Sequence, residues 1–222
     1  MKSHKGKFIL SLFALAVFSL GSAMTARADI VFIVGPTSAA DENILFNGPG
    51  MIRNGNPVTG RTNQTDTIFR FGSTSETSLA TPSGGQARIE SGDTDGTLTN
   101  LTIEPFNPGI FFNELDLNLL VAGQGGSVNG FVTFTVTENN GQMTTSQAFA
   151  INSAGQNFFS VTAINGQLIR SVTLNSTVGI TSVQQVRVGG ITGGPTAVPE
   201  PATMLLLGTG LAGIAAKMRR RK

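Results

Sequence analysis

Two carboxylates on one predicted strand are the best candidates for chemistry in this sequence. Glu114 and Asp116 are separated by a single residue, in a segment where acidic and amide residues alternate with leucines. Residues two apart on a strand share a face, so their side chains would lie about 7 Å apart. That separation suits the acid and base of an inverting glycosidase, provided that a cleft exists and one carboxyl has a raised pKa. We favour the simpler interpretation, in which both residues are solvated and face away from the leucine stripe.

A second acidic pair could bind a cation. Asp93 and Asp95 lie two residues apart in a glycine-flanked turn, and hard oxygen ligands of this kind can chelate calcium. The EF-hand spacing is not met, because Leu98 stands where that loop needs glycine and no glutamate closes it. Asp and Gly are also common in hairpin turns. The sequence therefore predicts an ordinary turn here, with calcium binding by Asp93 and Asp95 as the alternative.

The residue types that are absent exclude most other chemistry. The sequence contains no Cys, Trp or Tyr, its one histidine is His4, and no lysine occurs between Phe8 and Ala216. Disulfides, thiolate or imidazole metal sites, Ser-His-Asp triads and Schiff-base lysines are therefore excluded from the central domain. Without Trp or Tyr rings to stack on sugars, a glycan contact would use loop amides, hydroxyls and carboxylates. We expect no enzymatic activity and, apart from the calcium alternative, no cofactor.

The distribution of charge argues against nucleic acid as a partner. The whole chain has a net charge of +2, but nine of its 15 basic residues lie in the first 28 residues or the last six. Residues 29–197 hold six arginines and twelve acids, a net charge of −6. Phosphate binding requires a basic face, and an acidic domain does not provide one.

Alternating apolar and polar residues predict strands almost throughout residues 29–192. In residues 131–137, Val132, Phe134 and Val136 fall on one face and threonines on the other, as in an antiparallel strand with one wet face. No segment before Ala202 has a convincing helical pattern. We predict further strands at residues 30–34, 67–71, 86–90, 98–104, 114–121 and 181–188.

Two Asn-Gly pairs predict tight hairpins, because Asn and Gly tolerate the positive φ angles of a type I′ turn. Asn140-Gly141 would join strands at residues 131–138 and 142–151, and Asn165-Gly166 would join strands at residues 158–163 and 167–174. About ten strands joined in this way predict an all-β fold, an antiparallel β-sandwich of the jelly-roll type. An immunoglobulin-like sandwich is the second choice.

The first 28 residues have the layout of a secretory signal peptide. A basic start is followed by an apolar run at residues 8–20 and then by the small residues Ala26 and Ala28. The apolar run makes roughly 20 Å of helix, which is short of the roughly 30 Å hydrocarbon core of a bilayer. We predict cleavage after Ala28 by signal peptidase, which reads the small side chains of Ala26 and Ala28.

The last 24 residues form a three-part tail. Pro199 and Pro201 restrict the backbone on either side of Glu200, so this tripeptide should be extended and accessible to a peptidase. The apolar run at residues 202–216 makes about 22 Å of helix and could span a membrane with local thinning. A basic cluster follows and should stay on the cytoplasmic side. Its residues are Lys217, Arg219, Arg220, Arg221 and Lys222.

This tail resembles the PEP-CTERM sorting signal of exosortase substrates. The resemblance rests on Val198-Pro199-Glu200-Pro201, on the small and apolar residues within 205–213, and on Arg219-Arg220-Arg221. It implies an envelope protein of a Gram-negative-type, exopolysaccharide-producing bacterium, processed near the Pro-Glu-Pro tripeptide by an integral-membrane exosortase that releases or transfers it. Residues 156–190 are faintly similar to the closing strands of small sandwich domains in other PEP-CTERM proteins. The signal is an address and does not define an activity.

These features divide the chain into four predicted segments. They are a signal peptide at 1–28, a β-sandwich at 29–192, a Gly/Thr/Pro linker at 193–198 and the sorting signal at 199–222. We expect the exported domain to be structural or adhesive, in the cell envelope or extracellular matrix, and to associate with exopolysaccharide. Two alternatives stay open, a calcium-dependent carbohydrate-binding module and a carboxylate-based glycan hydrolase.

Overall fold

A computed structural model describes residues 29–82 and 88–193. Within these ranges the chain forms sixteen strands and no helix, and it has no helical segment long and apolar enough to cross a membrane. The strands are β1 Asp29–Val34, β2 Glu42–Leu45, β3 Asn54–Gly55, β4 Val58–Thr62, β5 Ile68–Gly72, β6 Leu79–Ala80, β7 Arg88–Ser91, β8 Leu98–Pro105, β9 Ile110–Phe111, β10 Glu114–Val121, β11 Asn129–Glu138, β12 Met143–Thr145, β13 Phe149–Asn152, β14 Asn157–Ile164, β15 Ile169–Gly189 and β16 Thr192–Gly193.

The long strand β15 organises the domain. Its first part, residues 169–176, lies between β11 and β8, and its second part, residues 180–189, pairs with β10 on one side and with β7 and β2 on the other. The register shifts between Asn175 and Ile180, and at this bend a Cβ on Gly179 would lie 2.9 Å from the Cβ of Thr97. One strand therefore belongs to both layers, and glycine permits the close approach at the bend.

Two sheets follow from this arrangement. The first runs β1-β14-β10-β15, and the second runs β11-β15-β8-β5-β4. Strand β2 pairs with both β15 and β4 and closes the path between the layers, and every pairing is antiparallel. The prediction of an all-β, antiparallel fold is therefore confirmed, and the architecture is consistent with a β-sandwich.

Phenylalanines fill the space between the sheets, as the alternating pattern predicts. Val132, Phe134 and Val136 are buried along β11, and the intervening threonines are half-buried. The ring of Phe134 lies 5.2 Å from that of Phe159 and 6.3 Å from that of Phe149, measured between centroids. Tilted rings at this separation add to the free energy gained from burial alone.

The predicted hairpin at Asn165-Gly166 is wrong, although the turn itself is present. Both residues have positive φ angles, 56° and 79°, and the Gln167 amide donates to the Ile164 carbonyl over 3.1 Å. However, β14 pairs with β1 and β10, whereas the start of β15 pairs with β11 and β8. The turn therefore carries the chain from one sheet to the other.

The hairpin at Asn140-Gly141 exists in a different form. Only Gly141 has a positive φ angle, so the connection between β11 and β12 is not a type I′ turn. The returning strand is also interrupted at Ser146, whose amide donates to the Phe134 carbonyl while its hydroxyl accepts from the Phe134 amide. Because this hydroxyl replaces a backbone acceptor, the strand that returns after the turn is divided into β12 and β13.

Candidate functional site

Strand β10 is buried on both faces, so the prediction of a solvated acidic face is wrong. Glu114 is half-buried, whereas Asp116 is 4% exposed and Asn118 is 1% exposed. The cover is the loop of residues 35–41, which follows β1 and folds over this face of the first sheet. Local alternation identified the polar face correctly, but a loop about 80 residues away in sequence covers it.

The Asp116 carboxylate ties the 35–41 loop to the sheet. Its Oδ1 accepts from the Ser160 hydroxyl over 2.5 Å and from the Thr37 hydroxyl over 3.1 Å. The Thr37 amide lies 3.0 Å from Ser160 Oγ, and Ser160 Oγ lies 2.7 Å from the Gly35 carbonyl. Oδ2 of Asp116 is buried without a hydrogen-bond partner. One carboxylate oxygen therefore fixes the loop, and the other is enclosed by it.

The acidity of Glu114 is perturbed in the direction that an acid catalyst requires. Burial raises the pKa of Glu114 above its ordinary value, and the negative charges of Asp116 and Asp41 raise it further. The Glu114 carboxylate also lies close to the end of β15, since a Cβ on Gly189 would be 3.0 Å from Glu114 Oε2. The shift favours the protonated form of Glu114 more than in a free glutamate, but its neighbour Asp116 is shielded from a substrate by the loop.

Asp93 accepts hydrogen bonds from Thr77, which lies 16 residues earlier in the chain, and Asp95 accepts one from within its own turn. The Thr77 amide donates to Asp93 Oδ2 over 2.8 Å and the Thr77 hydroxyl donates to Asp93 Oδ1, while the Thr97 amide lies 3.3 Å from Asp95 Oδ1. The hydrogen bonds from Thr77, that of the hydroxyl first, hold the pKa of Asp93 below its ordinary value. Residues 29–82 and 88–193 contain no group of three or more metal-ligating side chains. Calcium binding here stays a prediction.

A cleft beside Arg53 is a feature that the sequence analysis missed. Its volume is about 330 Å³, and it is lined by Arg53, Asn54, Ala80, Thr81 and Pro82. Arg53 Nη2 donates to the Thr81 carbonyl over 3.1 Å, and the Thr81 amide donates back to the Arg53 carbonyl over 2.8 Å. Within the described ranges, arginines 61, 70 and 88 form ion pairs, whereas Arg53 has no acidic partner. Among the described residues, no carboxylate therefore neutralises the Arg53 guanidinium, whose Nε is buried.

The class of protein is defined at the carboxyl end of the chain. Residues 197–221 match the family model of the PEP-CTERM protein-sorting motif. The protein is therefore an all-β domain joined to a PEP-CTERM sorting motif, which implies export, passage through the membrane and processing by an exosortase. Comparison with curated proteins and with solved structures gave no match.

The predicted processing residues lie outside the described residues. Pro199, Glu200 and Pro201 fall inside the matched range, as does most of the basic cluster, and the apolar run at 202–216 lies between them. The signal-peptidase residues Ala26 and Ala28 directly precede Asp29, the first residue of β1. The signal peptide, the tail helix and the roles of these residues stay predictions.

Proposed function

We propose that this protein is a non-enzymatic, structural or adhesive component of the cell envelope or extracellular matrix, with a jelly-roll sandwich as its working domain. The observation that carries the proposal is the position of the sorting motif. It begins at residue 197, four residues after β16 ends at Gly193. The domain is therefore attached almost directly to its delivery signal, and its role is exerted where an exosortase leaves it.

The composition of the domain supports a passive role rather than catalysis. It has no histidine, cysteine or lysine with which to build the usual nucleophile and base pairs. Its buried carboxylate Asp116 is engaged in holding a loop, which is a structural task. A net charge of −6 over residues 29–197 also favours a soluble, well-hydrated surface in a polysaccharide matrix.

The Arg53 cleft supports an association with exopolysaccharide. A guanidinium presents several N–H donors and recognises carboxylate groups, which uronic-acid sugars carry. Arg53 donates one N–H to the Thr81 carbonyl, and Asn54 lines the same cleft. We expect an R53Q variant to bind host exopolysaccharide less than the unaltered protein. R88Q is the matched control, because Arg88 is already paired with Glu90 at 2.9 Å.

The sorting step has a direct test. In a host that contains an exosortase, E200A should leave the exported protein at the mass expected with its carboxyl-terminal tail retained. P195A, which alters a proline just outside the matched motif, should be processed like the unaltered chain. If E200A and P195A give the same shortened mass, Glu200 has no part in processing and this part of the proposal fails.

The second candidate is a carboxylate-based glycan hydrolase, and the raised pKa of Glu114 is the observation in its favour. A hydrolase would release sugars from envelope glycans, and E114Q and D116N would each abolish that release. Release that is lost in both variants, while both remain folded, would replace the non-enzymatic proposal. We expect the unaltered protein to release no sugar.

A further inference from the structure

Strand β1 presents an uncharged, apolar edge. Within the described ranges it pairs with β14 alone, at the end of the first sheet. Residues 30–34 carry no charge, and Val31, Ile33 and Val34 are 36%, 39% and 68% exposed. Natural proteins normally protect such an edge with charges, prolines or bulges, because its unpaired backbone groups can pair with another strand. Residues 30–34 contain none of these protective features.

The hydrogen bonds of β14 show which backbone groups of β1 point outward. The Gly35 amide donates to the Phe158 carbonyl over 2.8 Å, so this opposed pair is a hydrogen-bonded one. Such pairs alternate along an antiparallel ladder, which assigns Val31 and Ile33 to bonding with β14. The amides and carbonyls of Ile30, Phe32 and Val34 therefore face away from the sheet.

We propose that β1 pairs with β1 of a second copy of this chain, antiparallel and about a two-fold axis at Phe32. Phe32 then lies opposite Phe32 of the second copy, and Ile30 lies opposite Val34. All three outward-pointing residues of each strand bond, which gives six hydrogen bonds. On the outer face, Val31 of one copy lies against Ile33 of the other, so two exposed side chains cover each other.

The edge selects this register. A shift by one residue would place outward-pointing groups opposite inward-pointing ones and break the ladder. Moving the two-fold axis to Val31 shifts the register by two residues and leaves four hydrogen bonds. Moving it to Ile33 places Ile30 opposite Pro36, which has no amide hydrogen to donate. Six hydrogen bonds form only when the axis passes through Phe32.

A second copy is the occupant that this edge fits, because its outward-pointing residues pair with their own equivalents and residues 30–34 bring no charge into the contact. The domain is acidic, so two copies repel each other over most of their surfaces. Their β1 edges are the neutral place at which they can meet, and Asp29 lies opposite Gly35 in this register, so no acid stands directly across from another acid. The proposal goes beyond the proposed function, because it concerns assembly and does not depend on sorting or on glycan binding.

The pairing should be weak in dilute solution. A six-residue ladder buries less than the roughly 1,200 Å² of a standard stable interface. Copies held together on one surface have a high effective concentration, and this strengthens a weak contact. The purified exported protein should therefore show a sedimentation coefficient that rises with concentration between the micromolar and millimolar ranges.

Two double variants test the register, and both place charged side chains at residues 31 and 33. V31K/I33K places lysine opposite lysine at both outer pairs and should weaken dimerisation by about tenfold or more. V31K/I33E places lysine opposite glutamate and should retain the concentration-dependent sedimentation. Dimerisation that survives in both variants, or is lost in both, would overturn the proposed pairing.

Cysteine pairing gives a second readout that does not depend on affinity, because the chain has no cysteine of its own. Residues 31 and 33 of the two copies form a non-hydrogen-bonded pair, with Cα atoms about 4.5 Å apart, which a disulfide can bridge. A mixture of V31C and I33C proteins should give a disulfide-linked dimer under mild oxidation, and either protein alone should give far less. No preference for the mixture would overturn the register.

Discussion

Replacing Asp116 with alanine should release the 35–41 loop from the first sheet. The variant removes the acceptor of the Ser160 hydroxyl at 2.5 Å and of the Thr37 hydroxyl at 3.1 Å. A hydrogen bond to a charged group contributes about 1.5 kcal/mol, so these two contribute about 3 kcal/mol. The Thr37 amide adds little, because it lies 3.4 Å from Oδ1 and is closer to Ser160.

The enclosed oxygen of Asp116 reduces this loss. Oδ2 is buried without a partner, and removing such an atom recovers about 1 kcal/mol. We therefore expect D116A to lower the free energy of unfolding by about 2 kcal/mol, or the melting temperature by about 4–8 °C for a domain of this size. D116N keeps an acceptor oxygen for both hydroxyls and should lose less than half as much.

Urea unfolding of the exported protein, followed by circular dichroism, measures the difference. A double-mutant cycle with T37V should give a coupling energy of about 1 kcal/mol, since both substitutions remove the same contact. A loss of under about 0.5 kcal/mol in D116A, or additive effects in the cycle, would refute the assignment of Asp116 as the residue that fixes the loop.

Four further predictions concern the ionisation of Glu114, the ionisation of Asp93, calcium binding and the bend of β15. The pKa of Glu114 is raised in the folded state, so the folded protein retains a proton that the unfolded chain releases. The free energy of unfolding should therefore fall as pH rises above the ordinary value of 4.5. E114Q should remove this fall, as measured by urea midpoints across the pH range. The pKa of Asp93 is lowered by Thr77, so the contribution of Asp93 to stability should be present above the ordinary value of 3.8 and lost as pH falls through the lower folded value. T77V should reduce this loss of stability at acidic pH. Millimolar calcium should leave the thermal midpoint unchanged, and a rise that D93N abolishes would favour the calcium alternative. G179A should lower the free energy of unfolding by about 1–3 kcal/mol, because its Cβ would lie 2.9 Å from the Cβ of Thr97. An unchanged urea midpoint would show that the bend accommodates a Cβ without strain.

The local sequence pattern was sufficient to predict those features of the structure that depend on residues close together in the chain. The buried face of Val132, Phe134 and Val136 follows from alternation along a single strand, and the strand at residues 98–104 differs from β8 by one residue. The sorting motif was also predictable, because it is a linear signal that is read from the order of its residues.

The rest depends on contacts between residues that are distant in the chain. Thr37 lies 79 residues from Asp116, so alternation could not show that the polar face of β10 is covered. A turn such as Asn165-Gly166 fixes a local change of direction, but the pairing of the strands that follow depends on which layer buries each one better. Arg53 and Thr81 meet across the short pair β3 and β6, which have only two residues each and therefore no detectable period.

The position of β15 determines how the domain carries mechanical load. The strand ends at Gly189, eight residues before the sorting motif begins, and only the two-residue β16 intervenes. A force applied through the residues that follow β15 would act along the axis of a strand that has neighbours on both sides. Its interstrand hydrogen bonds would then be loaded together, in shear, instead of breaking one after another. This arrangement should resist extension from the carboxyl end of the domain.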